Sequence, residues 1–115
     1  MTLVAVIDDD EGIRDAMTFL LDMSGYSVVA YESALAFLAN REPAPEYLIV
    51  DQNMPGMTGI ELAAALQSEQ SAIPFMLISG VITTTLESAA IRCGINTVMQ
   101  KPIECDEILR FLAEN

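Results

Sequence analysis

Five short apolar runs, Leu3–Ile7, Ser27–Tyr31, Tyr47–Val50, Phe75–Ile78 and Thr97–Gln100, alternate with longer stretches of helical spacing along this chain. The runs are nearly continuous in apolar residues, so a strand built from any of them has to be covered on both faces. The helical stretches between them supply that cover, and they are long enough to carry each crossover that parallel strands need. The pattern predicts an α/β domain with a doubly wound, five-stranded parallel sheet and five helices. A chain of 115 residues, 52% of them hydrophobic, can bury one core of this kind, so residues 1–115 are expected to form a single domain.

The first helix carries Ile13, Met17, Leu20 and Leu21 on one face and is stopped by Gly25. Ser33 predicts an N-cap for a short helix through Ala39, and Pro43 and Pro45 mark a turn-rich loop after it. Pro55, Gly56 and Gly59 make 53–59 a loop, and helical propensity resumes over Ile60–Leu66. A fourth helix spans Thr83–Cys93, closed by Gly94, and a last one spans Asp106–Ala113.

In this arrangement Asp8 and Asp9 follow strand one, Asp51 strand three, Ser79 strand four and Lys101 strand five. Each stands at the carboxyl end of a strand, the edge where open parallel sheets bind ligands. Three carboxylates brought together repel one another unless a cation neutralises them. Magnesium suits such a group, because it takes one or two carboxylates and fills its octahedron with waters and phosphate oxygens. A carboxylate can also attack phosphorus to give an acyl phosphate, and Asp51 is the best-placed nucleophile. Lys101 would supply a charge for a phosphoryl oxygen, and Ser79 a hydroxyl donor.

Every one of these residues has an ordinary structural explanation. Asp8, Asp9 and Asp10 could cap the first helix and favour its dipole, although one acid suffices and Asp10 with Glu11 meets that need. Asp51 could open a turn, and Ser79 beside Gly80 could end a strand. Lys101 could be a surface charge, yet it is the only lysine in the chain, and Pro102 holds it to extended backbone. The joint placement carries the argument.

Composition narrows the partners. The chain has 17 acidic against 5 basic residues, a net charge of -12, which repels a phosphate backbone and excludes direct nucleic-acid binding by this domain. It has no histidine, and Cys93 and Cys105 are too far apart in sequence for a metal-ligand motif, so both are expected to be free thiols. Residues 1–7 lack a basic leader and run into Asp8, Asp9, Asp10 and Glu11, so neither a signal peptide nor a membrane span is expected, and a cytoplasmic location follows.

Taken in order, Asp8-Asp9, the segment from Asp51 through Asn53, Met54 and Pro55 to Gly59, Ser79-Gly80 and Lys101-Pro102 resemble the response-regulator receiver domains of two-component signalling. The resemblance covers essentially the whole chain, and Arg14–Tyr26 and Ser33–Leu38 are further similar to FixJ-like regulators, whose receivers precede a DNA-binding domain. It implies a flavodoxin-like fold with strand order 2-1-3-4-5 and a signalling role rather than that of an enzyme. Asp51 is then the phosphoacceptor for a sensor histidine kinase. Magnesium is held by Asp9, Asp51 and the Asn53 backbone carbonyl, with Asp8 acting through a metal-bound water. Lys101 pairs with phosphoryl oxygens next to a cis bond to Pro102. Ser79 swings toward the phosphoryl group, and the output surface is the face of helix four, strand five and helix five, where a homodimer is expected.

One position departs from the family. Three residues before Lys101, where receivers usually carry an aromatic switch residue, stands Val98, so coupling has to run through other side chains, with Ile82 and Met99 as candidates. The chain also ends soon after Phe111 and Leu112, as expected of a segment of a longer regulator. Two other functions compete. A phosphatase or phosphotransferase turning over an aspartyl phosphate usually places an acid two residues beyond the nucleophile, where Asn53 stands and cannot donate a proton in that role. A flavodoxin-like cofactor protein or nucleotide switch would need a glycine-rich loop after strand one, where acids stand instead.

Overall fold

The computed structural model describes residues 2–115. Strands β1 (Leu3–Ile7), β2 (Ser27–Tyr31), β3 (Tyr47–Asp51), β4 (Phe75–Ser79) and β5 (Thr97–Gln100) alternate with helices α1 (Glu11–Met23), α2 (Ala34–Ala39), α3 (Gly59–Ser68), α4 (Thr84–Arg92) and α5 (Cys105–Glu114). All strand pairs are parallel and the sheet runs β2-β1-β3-β4-β5, the expected order.

The two-residue period of a strand sorts its side chains between the two helical layers. Ala5, Ile7, Leu48, Val50, Phe75 and Leu77 pack with Phe37, Leu62 and Leu66 on the side of α2 and α3, joined there by Leu86 of α4. Val4, Val6, Ile49, Met76, Ile78 and Met99 pack with Met17, Leu21, Ile108 and Phe111 on the side of α1 and α5. Burial on both faces is why β1, β3 and β4 read as continuous apolar runs. The edge strands β2 and β5 are more open and more polar.

Helix ends follow the capping residues in the sequence. Asp10 caps α1 by accepting from the Ile13 N–H, and Ser33 and Thr83 do the same for α2 and α4. Thr58 and Glu61 form a capping box on α3, satisfying two otherwise unpaired donors. After α1 and α4 the chain reverses at Gly25 and Gly94, with φ of 91° and 76°, a region that side chains with a Cβ enter only at a cost.

Two strands run one residue further than the apolar pattern indicates. Asp51 and Ser79 are not loop residues after β3 and β4 but their last ladder positions, opposite Ile78 and Gln100 respectively. Hydrophobic patterning missed them because both are polar and yet buried. Among the described residues no helix is long and apolar enough to cross a membrane. Both cysteines are free thiols.

Candidate functional site

The carboxyl edge of the sheet collects the acids. The Asp8 N–H donates to the Tyr31 carbonyl at 3.1 Å, continuing the β1–β2 ladder one step past the strands. Its side chain is buried: Oδ1 accepts from the Asp10 N–H at 2.9 Å, while Oδ2 has no hydrogen-bond partner. Asp9 is exposed, and Asp10 turns away to cap α1, leaving Asp8 and Asp9 as the two of the three consecutive acids that stand near Asp51. Asp8, Asp9 and Asp51 each bring one carboxylate oxygen to within 4.8 Å of the others.

Asp51 is 2% exposed, and Lys101 Nζ lies 3.2 Å from its Oδ1 as an ion pair, the only partner of an oxygen that accepts no hydrogen bond among the described residues. Burial raises the pKa of Asp51, against the pull of Lys101 and the Asn53 backbone N–H. Burial likewise lifts Asp8 from 3.8 to about 6; the Asp10 N–H opposes this and the charge of Asp51 adds to it. Burial lowers the pKa of Lys101, but its contacts with Asp51 and the charges of Asp8 and Asp9 outweigh that and leave it raised. These acids sit where ionisation is costly, and two buried oxygens, Asp8 Oδ2 and Asp51 Oδ1, lack hydrogen-bond donors. A hard divalent cation fits that deficit, since every available donor is oxygen.

The other named residues surround this cluster. The peptide bond between Lys101 and Pro102 is cis, as the resemblance implied; a second cis bond, Glu42–Pro43, was not foreseen. The Lys101 N–H donates to the Ser79 carbonyl at 2.9 Å. The Ser79 hydroxyl points to the loop that follows β4, donating to the Val81 carbonyl at 2.7 Å and accepting from the Val81 N–H at 3.3 Å. Asn53 is exposed in the loop after β3. Val98 packs toward α3 and α4, whereas Met99 is buried among α1 and α5 and so faces away from Val98.

Sequence reasoning passed over the residues that shape the turns. Gln52 closes the loop after β3: its backbone N–H donates to the Ile78 carbonyl, its carbonyl accepts from Gly59, and its Oε1 accepts from the Ile60 N–H at 2.9 Å. Gly59 is needed at that closure, because a Cβ there would collide with Leu77 Cδ1 and lie 2.9 Å from the Asp51 carbonyl. Arg14 Nη1 donates to the Asp8 carbonyl at 2.7 Å. The glycine had a signal in its position just before a predicted helix; Gln52 and Arg14 had none beyond their polarity. A cavity of about 250 Å³ lies at the opposite end of the sheet, among Gln67, Phe75, Cys93 and Asn96, away from these acids.

Residues 4–113 match the family profile of the response regulator receiver domain. The chain belongs to that family. This receiver domain is 35% identical over 111 residues to the transcriptional regulatory protein FixJ of Bradyrhizobium diazoefficiens, covering 95% of this chain and 54% of that protein. Among solved structures, FixJ-N superposes with a TM-score of 0.86 at 31% identity, covering 98% of the receiver domain and 91% of that chain. The chemotaxis protein CheY4 of Vibrio cholerae superposes with a TM-score of 0.90 at 26% identity, covering 99% and 98%. The likeness to FixJ makes this a FixJ-like receiver, and it spans about half the length of that curated relative. Receiver domains are signalling modules of two-component response regulators, and the acids described above form a group able to hold a metal ion.

Proposed function

We propose that Asp51 accepts a phosphoryl group from a sensor histidine kinase in a magnesium-dependent reaction, and that the phosphorylated domain signals to an effector domain controlling transcription. The observation that carries the reading is the buried Asp51 carboxylate, paired with Lys101 at 3.2 Å and grouped with Asp8 and Asp9. Asp9, Asp51 and the Asn53 backbone carbonyl would hold the ion, with Asp8 acting through a water. When bound, magnesium neutralises the acids and the phosphoryl oxygens.

In the transfer an Asp51 oxygen forms a bond to phosphorus while the bond from phosphorus to the donor breaks, and the donor leaves with that electron pair. Lys101, already beside Asp51, is placed to meet a phosphoryl oxygen with its charge. Ser79 has to give up its bond to the Val81 carbonyl before its hydroxyl can donate to the phosphoryl group. That exchange of partners would bias the β4–α4 connection and the face of α4, β5 and α5, where the exposed Ile91 stands ready for contact with a second copy. Because Val98 is not aromatic, contacts of Leu86, packed in the same layer as Val98, would replace a ring rotation in passing the signal. A FixJ relative that is a transcriptional regulator, matched over its receiver-sized half, supports a DNA-binding effector domain and a cytoplasmic setting.

Acetyl phosphate with magnesium, followed by borohydride reduction and peptide mapping, tests the assignment. An acyl phosphate at Asp51 is reduced to homoserine at that position alone. Homoserine at Asp8 or Asp9 instead, or at no position in a folded protein, would contradict it.

A further inference from the structure

Asp9 presents a difficulty for a metal ligand, because its side chain is exposed and accepts no hydrogen bond among the described residues. Its direction is set only by its backbone. The peptide plane between Asp8 and Asp9 is rigid, so whatever fixes the Asp8 carbonyl also fixes where the Asp9 Cα and carboxylate start. Among the described residues no backbone donor reaches that carbonyl, which lies beyond the last paired residue of β1.

Arg14 fills the gap. From the first turns of α1 its Nη1 reaches back six residues to donate to the Asp8 carbonyl at 2.7 Å. Its own backbone N–H donates to the Asp10 carbonyl at 3.0 Å. One residue therefore holds the turn of Asp8, Asp9 and Asp10 at both ends, and the Asp10 N–H to Asp8 Oδ1 bond closes it from within. The side chain is half-buried, and ordering a long guanidinium stem costs rotamer entropy that a loose surface contact would not repay. The chain has only five cations, so placing Arg14 and Lys101 both at the acid cluster is a marked concentration of positive charge.

We infer that Arg14 is a positioning residue for the metal site: by holding the Asp8 carbonyl it presets the Asp9 carboxylate for magnesium. This rests on the proposed reading that Asp9 and Asp51 hold that ion. Residues that orient metal ligands from outside typically change metal affinity by about 10–100-fold when removed. Arg14 acts through one peptide plane rather than on the ligand itself, so the low end applies.

The test is the magnesium dependence of phosphorylation by acetyl phosphate in the parent, Arg14→Met and Arg14→Lys, with thermal midpoints measured alongside. Arg14→Met keeps the apolar stem and loses the donors, so its half-maximal magnesium concentration should rise about 10-fold while the rate at saturating magnesium stays close to the parent's. Arg14→Lys restores one donor and should recover part of the shift. A parent that responds to magnesium and an Arg14→Met variant with the same half-maximal concentration would overturn the inference alone. A lower melting midpoint without a changed magnesium response would overturn it too, by making the contact merely structural. Should Arg14→Met fail to fold, Arg14→Leu takes its place, and an unchanged half-maximal magnesium concentration in that variant would overturn the inference. A parent indifferent to magnesium would overturn the metal reading itself, and this inference with it.

Discussion

Lys101 Nζ lies 3.2 Å from Asp51 Oδ1, so the sole lysine of the chain is an ion-pair partner of one of its two buried acids. The pair is held from the main chain as well, since the Lys101 N–H donates to the Ser79 carbonyl at the end of β4. A cation in that position competes with a metal ion for Asp51, yet it can meet a phosphoryl oxygen in the transition state. Lys101→Met should therefore lower the phosphorylation rate by about 10²-fold while tightening magnesium binding. Measuring both in one magnesium titration separates the effects; a rate loss with weakened metal binding would argue against this role.

Asp8 gives the pH dependence. Its folded pKa of about 6 lies above the ordinary 3.8 of an aspartate, so the metal-free folded state binds more protons than the unfolded one between those values. The contribution of Asp8 is thus most favourable at low pH and declines as pH rises through about 6, by on the order of 1–3 kcal/mol. Asp8→Asn should flatten that part of the stability curve and raise the melting temperature of the metal-free protein at neutral pH. Chemical denaturation at several pH values with a chelator present checks this, and a variant less stable than the parent at pH 7 would contradict it. Saturating magnesium should shrink the difference, because the ion binds the folded state and favours the ionised acids.

Gly59 is required by packing rather than by φ. A Cβ there meets Leu77 Cδ1 and comes within 2.9 Å of the Asp51 carbonyl, a backbone atom that cannot move without shifting Asp51 itself. Gly59→Ala should destabilise the fold by about 1–3 kcal/mol and lower the phosphorylation rate of the fraction that remains folded. Thermal unfolding and the phosphorylation rate together test it; an unchanged rate would show that Leu77 alone absorbs the added methyl.

Most of the architecture was legible because burial leaves a period in the sequence. Val4, Val6, Ala5 and Ile7 divide between the two layers, and every strand run was placed within a residue of its observed end. The missing positions are informative. Asp51 and Ser79 fell outside the predicted strands because hydrophobicity defines a strand only where burial is apolar, and these two are polar yet buried. The acids, Ser79 and Lys101 could be named from their strand-end placement, whereas Gln52 and Arg14 could not. Their contributions are hydrogen bonds to backbone atoms, which depend on side-chain reach in three dimensions. The pairing of Val98 with the α3 and α4 side, and of Met99 with the opposite one, likewise required the register of β5 against β4.

Ser79 supplies the prediction for switching. Its hydroxyl is bonded to Val81 and would have to change partner on phosphorylation. Ser79→Ala should still accept a phosphoryl group but lose the change in amide exchange at α4 and β5 that the parent shows between free and phosphorylated states. An unchanged exchange response in Ser79→Ala would place the coupling elsewhere.

The most direct test of the account is the intact mass of the protein after incubation with acetyl phosphate and magnesium, compared with Asp51→Asn and with a chelator-treated sample. The parent should gain one phosphoryl group and neither control any. A folded parent with no adduct, or an Asp51→Asn variant that takes up the group as readily, would contradict it.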